Sequence, residues 1–222
     1  MEERKFVKLK KEEYSVKEFI KKDLGKGKMS TIKIEYTPVG EKITIVTNKP
    51  GFVIGKKGER ISELTGILKK QFHLENPHIE IMEIPKPEFD AQNVADEIAL
   101  SLERFGNLKF KIVAYKMLER IVKSGALGVE LRLSGKLPSE RAKSWRFAQG
   151  YLKKTGDSAK VVDRAEARAE TQSGTIGIKV SILSPTAIIE DQIKLTPEVM
   201  ARIRSNQIIE EVKELKPKRS KK

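Results

Sequence analysis

The chain has 222 residues, 45 Lys and Arg against 31 Asp and Glu, a formal net charge of +14 and an isoelectric point near 9.7, the electrostatic footprint of a protein that displaces counterions from a polyanion. With no cysteine and two histidines, disulfides, thiolate zinc sites and histidine-rich metal sites are excluded, and no apolar run approaches the length that spans a bilayer. The length accommodates two modest domains, and a highly charged N-terminus without an apolar stretch of the secretory kind predicts a soluble, intracellular protein.

The first 30 residues carry ten basic and six acidic side chains. Val16, Phe19 and Ile20 predict a short amphipathic helix ahead of Gly25-Lys26-Gly27-Lys28, packed beside the sheet that follows with its lysines turned to RNA. Ile32, Ile34 and Tyr36 alternate with Lys33 and Glu35 as in a strand, the β-branched run Lys42–Thr47 predicts another, and Asn48-Lys49-Pro50-Gly51 is turn chemistry. Ile54-Gly55-Lys56-Lys57-Gly58 comes next. Its glycines permit positive φ and leave no Cβ in the way of a phosphate. Its two lysines add charge, and it feeds the N-terminus of a helix predicted from near Glu59, where free amides favour an anion. Ile61, Leu64, Leu68 and Phe72 keep helical spacing, and His78–Ile84 returns to strand character before Pro85-Lys86-Pro87. His73 and His78 fall at the end of that helix and the start of that strand, in structural positions.

Strand, short helical turn, glycine-bounded basic loop, helix and strand together resemble the core of a KH domain, whose loop clamps about four nucleotides. The additional strand before this core, rather than after it, is the type II order. A nucleotide-binding P-loop is excluded, because it needs four residues between its glycines and then Gly-Lys-Ser/Thr, whereas Gly51 and Gly55 enclose three and no hydroxyl follows Lys56. A solvated helix-helix turn with idle lysines is the plain alternative. From Glu41 to Phe89 the charge is almost balanced, with 8 basic and 7 acidic residues.

A second domain begins after Pro85-Lys86-Pro87. Residues 90–105 place Val94, Ile98, Leu102 and Phe105 on one helical face, Gly106-Asn107 makes a break, and Val113, Met117, Ile121 and Val122 mark a second helix. Beyond Ser124-Gly125 the period becomes two: Val129, Leu131 and Leu133 alternate with Glu130 and Arg132, and further strands are predicted at Ala142–Leu152, Lys160–Thr171 and Thr175–Leu183. Two helices on one side of a four-stranded, largely antiparallel sheet bury these apolar faces and leave Arg132, Arg146, Arg164, Arg168 and Lys179 outward. The expected fold is therefore α+β: a type II KH domain at 15–87, a two-helix, four-stranded domain at 88–185, and basic extensions at 1–14 and 186–222. Arg141–Lys160 holds six basic residues and one acid, so the RNA surface extends beyond the KH loop. Trp145 and Phe147 share a strand face, which core packing explains at least as well as base stacking, and Arg146 between them is the better RNA contact. Residues 197–215 space Val199, Ile203, Ile208, Val212 and Leu215 as a marginal helix or a tail of helical pattern. Lys216–Lys222, with five positive charges and no apolar side chain, is expected to stay disordered until RNA neutralises it.

Several motifs in one order, Pro50–Ile61, Ser124–Glu130, Leu133–Leu137, Arg141–Phe147 and Gly174–Val180, resemble the small-subunit ribosomal protein three family over roughly residues 15–185, in its archaeal or eukaryotic form. The resemblance implies a cytoplasmic protein on the head of the small ribosomal subunit. It implies rRNA, mRNA and neighbouring head proteins of families ten and fourteen as partners, and a place on the channel through which mRNA enters. The family's basic cluster there falls on Lys111, Ile112, Tyr115 and Lys116, where many relatives carry two adjacent arginines in place of Lys111-Ile112. The candidate RNA contacts are Gly55, Lys56, Lys57, Gly58 and Arg60 in the clamp, then Lys109, Lys111, Lys116 and Arg120, and then Arg132, Lys136, Arg141, Lys143, Arg146, Lys153 and Lys154. A free-standing KH factor would use the N-terminal half equally well but has no need of the C-terminal motifs. A nucleic-acid-processing enzyme is the third class. No paired acids, nucleophile elbow or metal cluster appears, so no catalytic residue, metal or cofactor is expected.

Overall fold

The computed structural model describes residues 2–38, 40–72, 74, 76–189 and 200, and the chain up to Ala187 packs as one compact unit. His73, most of 197–215 and the Lys216–Lys222 tail lie outside the described residues. The chain opens with α1 (Glu2–Leu24), β1 (Ile32–Thr37), β2 (Gly40–Thr47), α2 (Pro50–Ile54), α3 (Glu59–Phe72) and β3 (His78–Glu83). The sheet order is β1-β2-β3, with β1 antiparallel and β3 parallel to β2. A parallel neighbour cannot be reached through a hairpin, and α2, the glycine loop and α3 form the crossover. This is the type II KH order.

Helices and sheet enclose a core of Val16, Ile20 and Leu24 from α1, Ile32, Ile43 and Ile45 from the strands, Val53 from α2, and Leu64 and Leu68 from α3. Helix α1 is 23 residues long, well beyond the short helix that its apolar spacing predicts, because Val16 is its first buried residue. The earlier turns are built from strong helix formers without Gly or Pro and carry spaced ion pairs, Lys8–Glu12 at 4.0 Å and Lys10–Glu13 at 2.9 Å.

The second half comprises α4 (Ala91–Phe105), α5 (Phe110–Lys123), β4 (Gly128–Lys136), β5 (Ala142–Gly150), β6 (Asp163–Thr171) and β7 (Gly174–Leu183). Its strands run β5-β4-β7-β6, antiparallel throughout. Both helices share one core with a single face of the sheet, built from Val129, Leu131, Leu133, Phe147, Ile176, Ile178, Val180 and Ile182. Val94, Ile98 and Leu102 are buried as expected, but Phe105 is half exposed. Ala91, Ala95 and Ala99 complete the buried stripe instead, facing Ala165, Ala167 and Ala169 of β6. Small residues on both sides let α4 lie close to the sheet, and the chain leaves the helix at Gly106 before Phe105 can turn inward.

In this sheet two strand boundaries differ from the predicted ones by two residues or more. Strand β5 stops at Gly150, where φ reaches +77 and the Tyr151 N–H donates to the Leu127 carbonyl at 2.9 Å. The expected strand start at Lys160 falls in a 3-10 turn, Asp157–Val161, after Gly156. Arg132, Arg146, Arg164, Arg168 and Lys179 are all exposed on the face that no helix covers.

Candidate nucleic-acid interface

In the glycine loop, the Gly55 N–H donates to the Gly51 carbonyl at 3.0 Å, ending α2. Gly55 takes φ +72, and a Cβ there would lie 2.8 Å from the Arg60 Cβ, so both the turn and the approach of α3 require glycine. Lys57 has φ 54 and ψ 23, the one non-glycine residue with positive φ among the described residues, and Gly58 follows at φ +80. Lys56 and Lys57 are exposed. Arg60 turns away from the loop: its Nη2 donates to the Asp23 carbonyl at 3.0 Å and lies 3.6 Å from the Asp23 carboxylate, fastening α3 to the end of α1.

At the start of α5, Lys109, Lys111 and Lys116 are exposed beside Ile112 and Tyr115, which are 68% and 60% exposed. Lys111 Nζ sits 4.7 Å above the Trp145 ring. Trp145 packs on Phe110 at 5.5 Å and donates from Nε1 to the Leu137 carbonyl, while Tyr115 meets Phe147 edge-on at 5.1 Å. Both aromatic side chains of β5 therefore belong to the helix-facing side. The Asn107 amide donates to the Lys136 carbonyl at 3.1 Å, drawing the β4–β5 hairpin to the start of α5. Strand alternation puts Lys143 on the same face as Trp145, so Lys111 and Lys143 approach one end of the sheet, with Lys136 and Arg141 exposed on the hairpin. Arg120 has a different setting: it bridges Glu88 at 3.1 Å and Glu97 at 2.9 Å, and Glu97 beside it raises its pKa further.

On the uncovered sheet face, the register aligns Arg146, Arg132, Lys179 and Glu166 across all four strands. Lys179 pairs with Glu166 at 2.6 Å. Glu130 takes both Arg146 and Lys154 at 2.8 Å. Burial pulls the Glu130 pKa up, but the hydrogen bonds from those two cations outweigh it and the carboxyl titrates below the ordinary glutamate value. Arg132 donates from Nε to Ser144 Oγ at 3.0 Å, between Arg146 and Lys179 in the row. Like charges directly opposite one another are destabilising, and a phosphate over Arg132 would relieve them. Lys153 is half-buried. Charge counting along the sequence missed the role of Glu130, which comes from β4 and offsets part of the positive stretch on β5 and beyond.

Among the described residues no group of three or more His, Asp or Glu could hold a metal ion, and no helix is long and apolar enough to cross a membrane. His78 opens β3 and is exposed.

A family model described as KH domain matches residues 13–89, and one described as Ribosomal protein S3, C-terminal domain matches residues 98–182. The chain is 43% identical over 194 residues to the small ribosomal subunit protein uS3 of Methanocaldococcus jannaschii, covering 87% of this chain and 92% of that protein. It is 37% identical over 196 residues to the protein of the same name from Methanococcus maripaludis strain C5, covering 88% and 92%. For that of Methanococcus aeolicus the identity is 37% over 194 residues.

Proposed function

Since the chain belongs to the ribosomal protein uS3 family, a structural and non-enzymatic constituent of the small ribosomal subunit, we propose that it holds rRNA through its KH loop and open sheet. We propose further that it lines the channel by which mRNA enters, in the head of the subunit, beside proteins of families ten and fourteen in the cytoplasm. In this reading residues 15–87 are the RNA-gripping KH domain and 88–185 the domain that meets mRNA, with extensions at 1–14 and 186–222. The observation that carries the mRNA assignment is the start of α5, where Lys109, Lys111 and Lys116 stand exposed next to the β4–β5 hairpin.

Exposed ammonium groups hold phosphates as point charges, without the fork geometry of arginine. Incoming message held by its backbone stays single-stranded as the ribosome pulls it, so a hairpin that frays does not close again. No nucleotide hydrolysis is involved. Ribosomes carrying Lys111→Ala with Lys116→Ala are expected to pass a stable message hairpin several-fold more slowly, with little delay on unstructured message. Equal slowing on both messages would point to an assembly defect and overturn the mRNA assignment.

A further inference from the structure

We propose a second nucleotide subsite beside the glycine loop, formed by Phe52, Lys28 and Lys49, in which an unpaired base stacks on the Phe52 ring and the two lysines hold its phosphate. The inference rests on the reading that the KH face grips single-stranded RNA, and it adds three residues outside the RNA contacts that the sequence pointed to. Phe52 lies on α2 and is 53% exposed. Lys28 Nζ stands 5.6 Å from its ring centroid and Lys49 Nζ 6.0 Å. Neither lysine has a carboxylate partner among the described residues, so two cations stand beside one exposed aromatic ring with no carboxylate there to neutralise them. A phosphate would supply the missing charge, and every base offers a π-face to the ring.

The trio is held in place from beneath. Thr47 is fully buried; its hydroxyl donates to the Lys28 carbonyl and accepts from the Lys49 N–H, the latter at 3.0 Å. The Phe52 N–H in turn donates to the Lys49 carbonyl at 3.1 Å. One buried hydroxyl thus ties together two backbone segments that are 21 residues apart in sequence, Lys28 and Lys49, and sets both lysines beside the ring. Phe52 is three residues before Gly55, one helical turn away, so a base stacked on it would neighbour the nucleotides at Lys56 and Lys57.

The experiment uses the full chain and a single-stranded octa-adenylate RNA, with affinity read by fluorescence anisotropy at several salt concentrations. Phe52→Ala is expected to weaken binding about 5- to 150-fold, the range a base–aromatic stack is worth, and Phe52→Trp to restore it with tryptophan emission quenched by the RNA. Lys28→Ala with Lys49→Ala should lower the salt slope by about 0.7, the share of one phosphate. The comparison variant is Lys56→Asp with Lys57→Asp. If Phe52→Ala binds like the parent and Phe52→Trp is not quenched while the loop variant loses affinity, the second subsite falls and the KH grip stands. If the loop variant also binds normally, both fall. Phe52 and Lys49 are exposed, so thermal unfolding of their variants should match the parent.

Discussion

Lys57 sits in the left-handed region of backbone space, with φ 54, where an L-residue is disfavoured by about 1–2 kcal/mol. Glycine would occupy that slot at a smaller cost, about 0.5–1 kcal/mol of extra chain entropy. Lys57→Gly is therefore expected to leave unfolding free energy unchanged or raise it by up to about 1.5 kcal/mol in a urea titration, while RNA affinity falls. A loss of stability would show that the lysine side chain packs in a way the loop geometry does not reveal. Glu130 presents the opposite case, a carboxylate that occupies two candidate RNA contacts. Its pKa is lowered in the folded chain, so it contributes stability above the ordinary glutamate value near 4.3 that is lost as pH falls through the folded one. Glu130→Gln should release Arg146 and Lys154, strengthen RNA binding and steepen its salt dependence, and flatten the fall in stability below about pH 5. Unchanged binding would mean that neither cation meets RNA.

Among the elements, α1 divides into two parts with different jobs. Val16, Ile20 and Leu24 enter the KH core, and no residue before Val16 is buried. Removing residues 2–14 should therefore shift Tm little, whereas Ile20→Ala should cost about 2–5 kcal/mol as a large-to-small change in a closed core. Differential scanning calorimetry of the two variants checks both outcomes, and a large loss from the truncation would show that the first turns carry stability. The apolar spacing located the anchored half of this helix. Its exposed half was not legible in that spacing, because a helical stretch dominated by Glu, Lys and Arg is sustained by local propensity and needs no face to bury.

At the scale of the whole molecule, the two hydrophobic cores are separate, and polar contacts join the KH half to α4 and β6. Ser30 Oγ donates to Asp90 at 2.7 Å, the Gly27 N–H donates to Asp96 at 3.0 Å, and Lys26 Nζ reaches Glu103 at 2.8 Å and the Arg168 carbonyl at 3.2 Å. Lys26, just past the end of α1, is a strut of this joint. Gly27 lies so close to α4 that a Cβ would come 2.9 Å from Leu100 Cδ1. Burial raises the Asp96 pKa, more than the hydrogen bonds from Gly27 and Gln92 lower it. A carboxyl raised in this way disfavours folding when ionised, and that cost disappears as pH falls through its folded pKa toward the ordinary value near 3.9. Asp96→Asn should thus lose stability relative to the parent as pH is lowered from 7 toward 4. Asp96→Ala should cost about 1–3 kcal/mol at pH 7 by stranding the Gly27 N–H. A parent and an Asp96→Asn variant with parallel pH profiles would contradict the burial argument.

The sequence by itself determined the element order, the glycine loop and the faces that the strands bury. Those features follow from periods of two and 3.6 residues and from the φ freedom of glycine, all properties of short stretches of chain. Only the tertiary structure decided which positive charges remain available. Arg120 meets Glu88 and Glu97, Lys154 meets Glu130, Lys26 meets Glu103, and Thr47 gathers Lys28 and Lys49 around Phe52. Each of these partners is brought within reach by the packing of helices, strands and loops from distant parts of the chain, and a Coulomb interaction depends on distance in space, which composition and spacing along the chain do not contain.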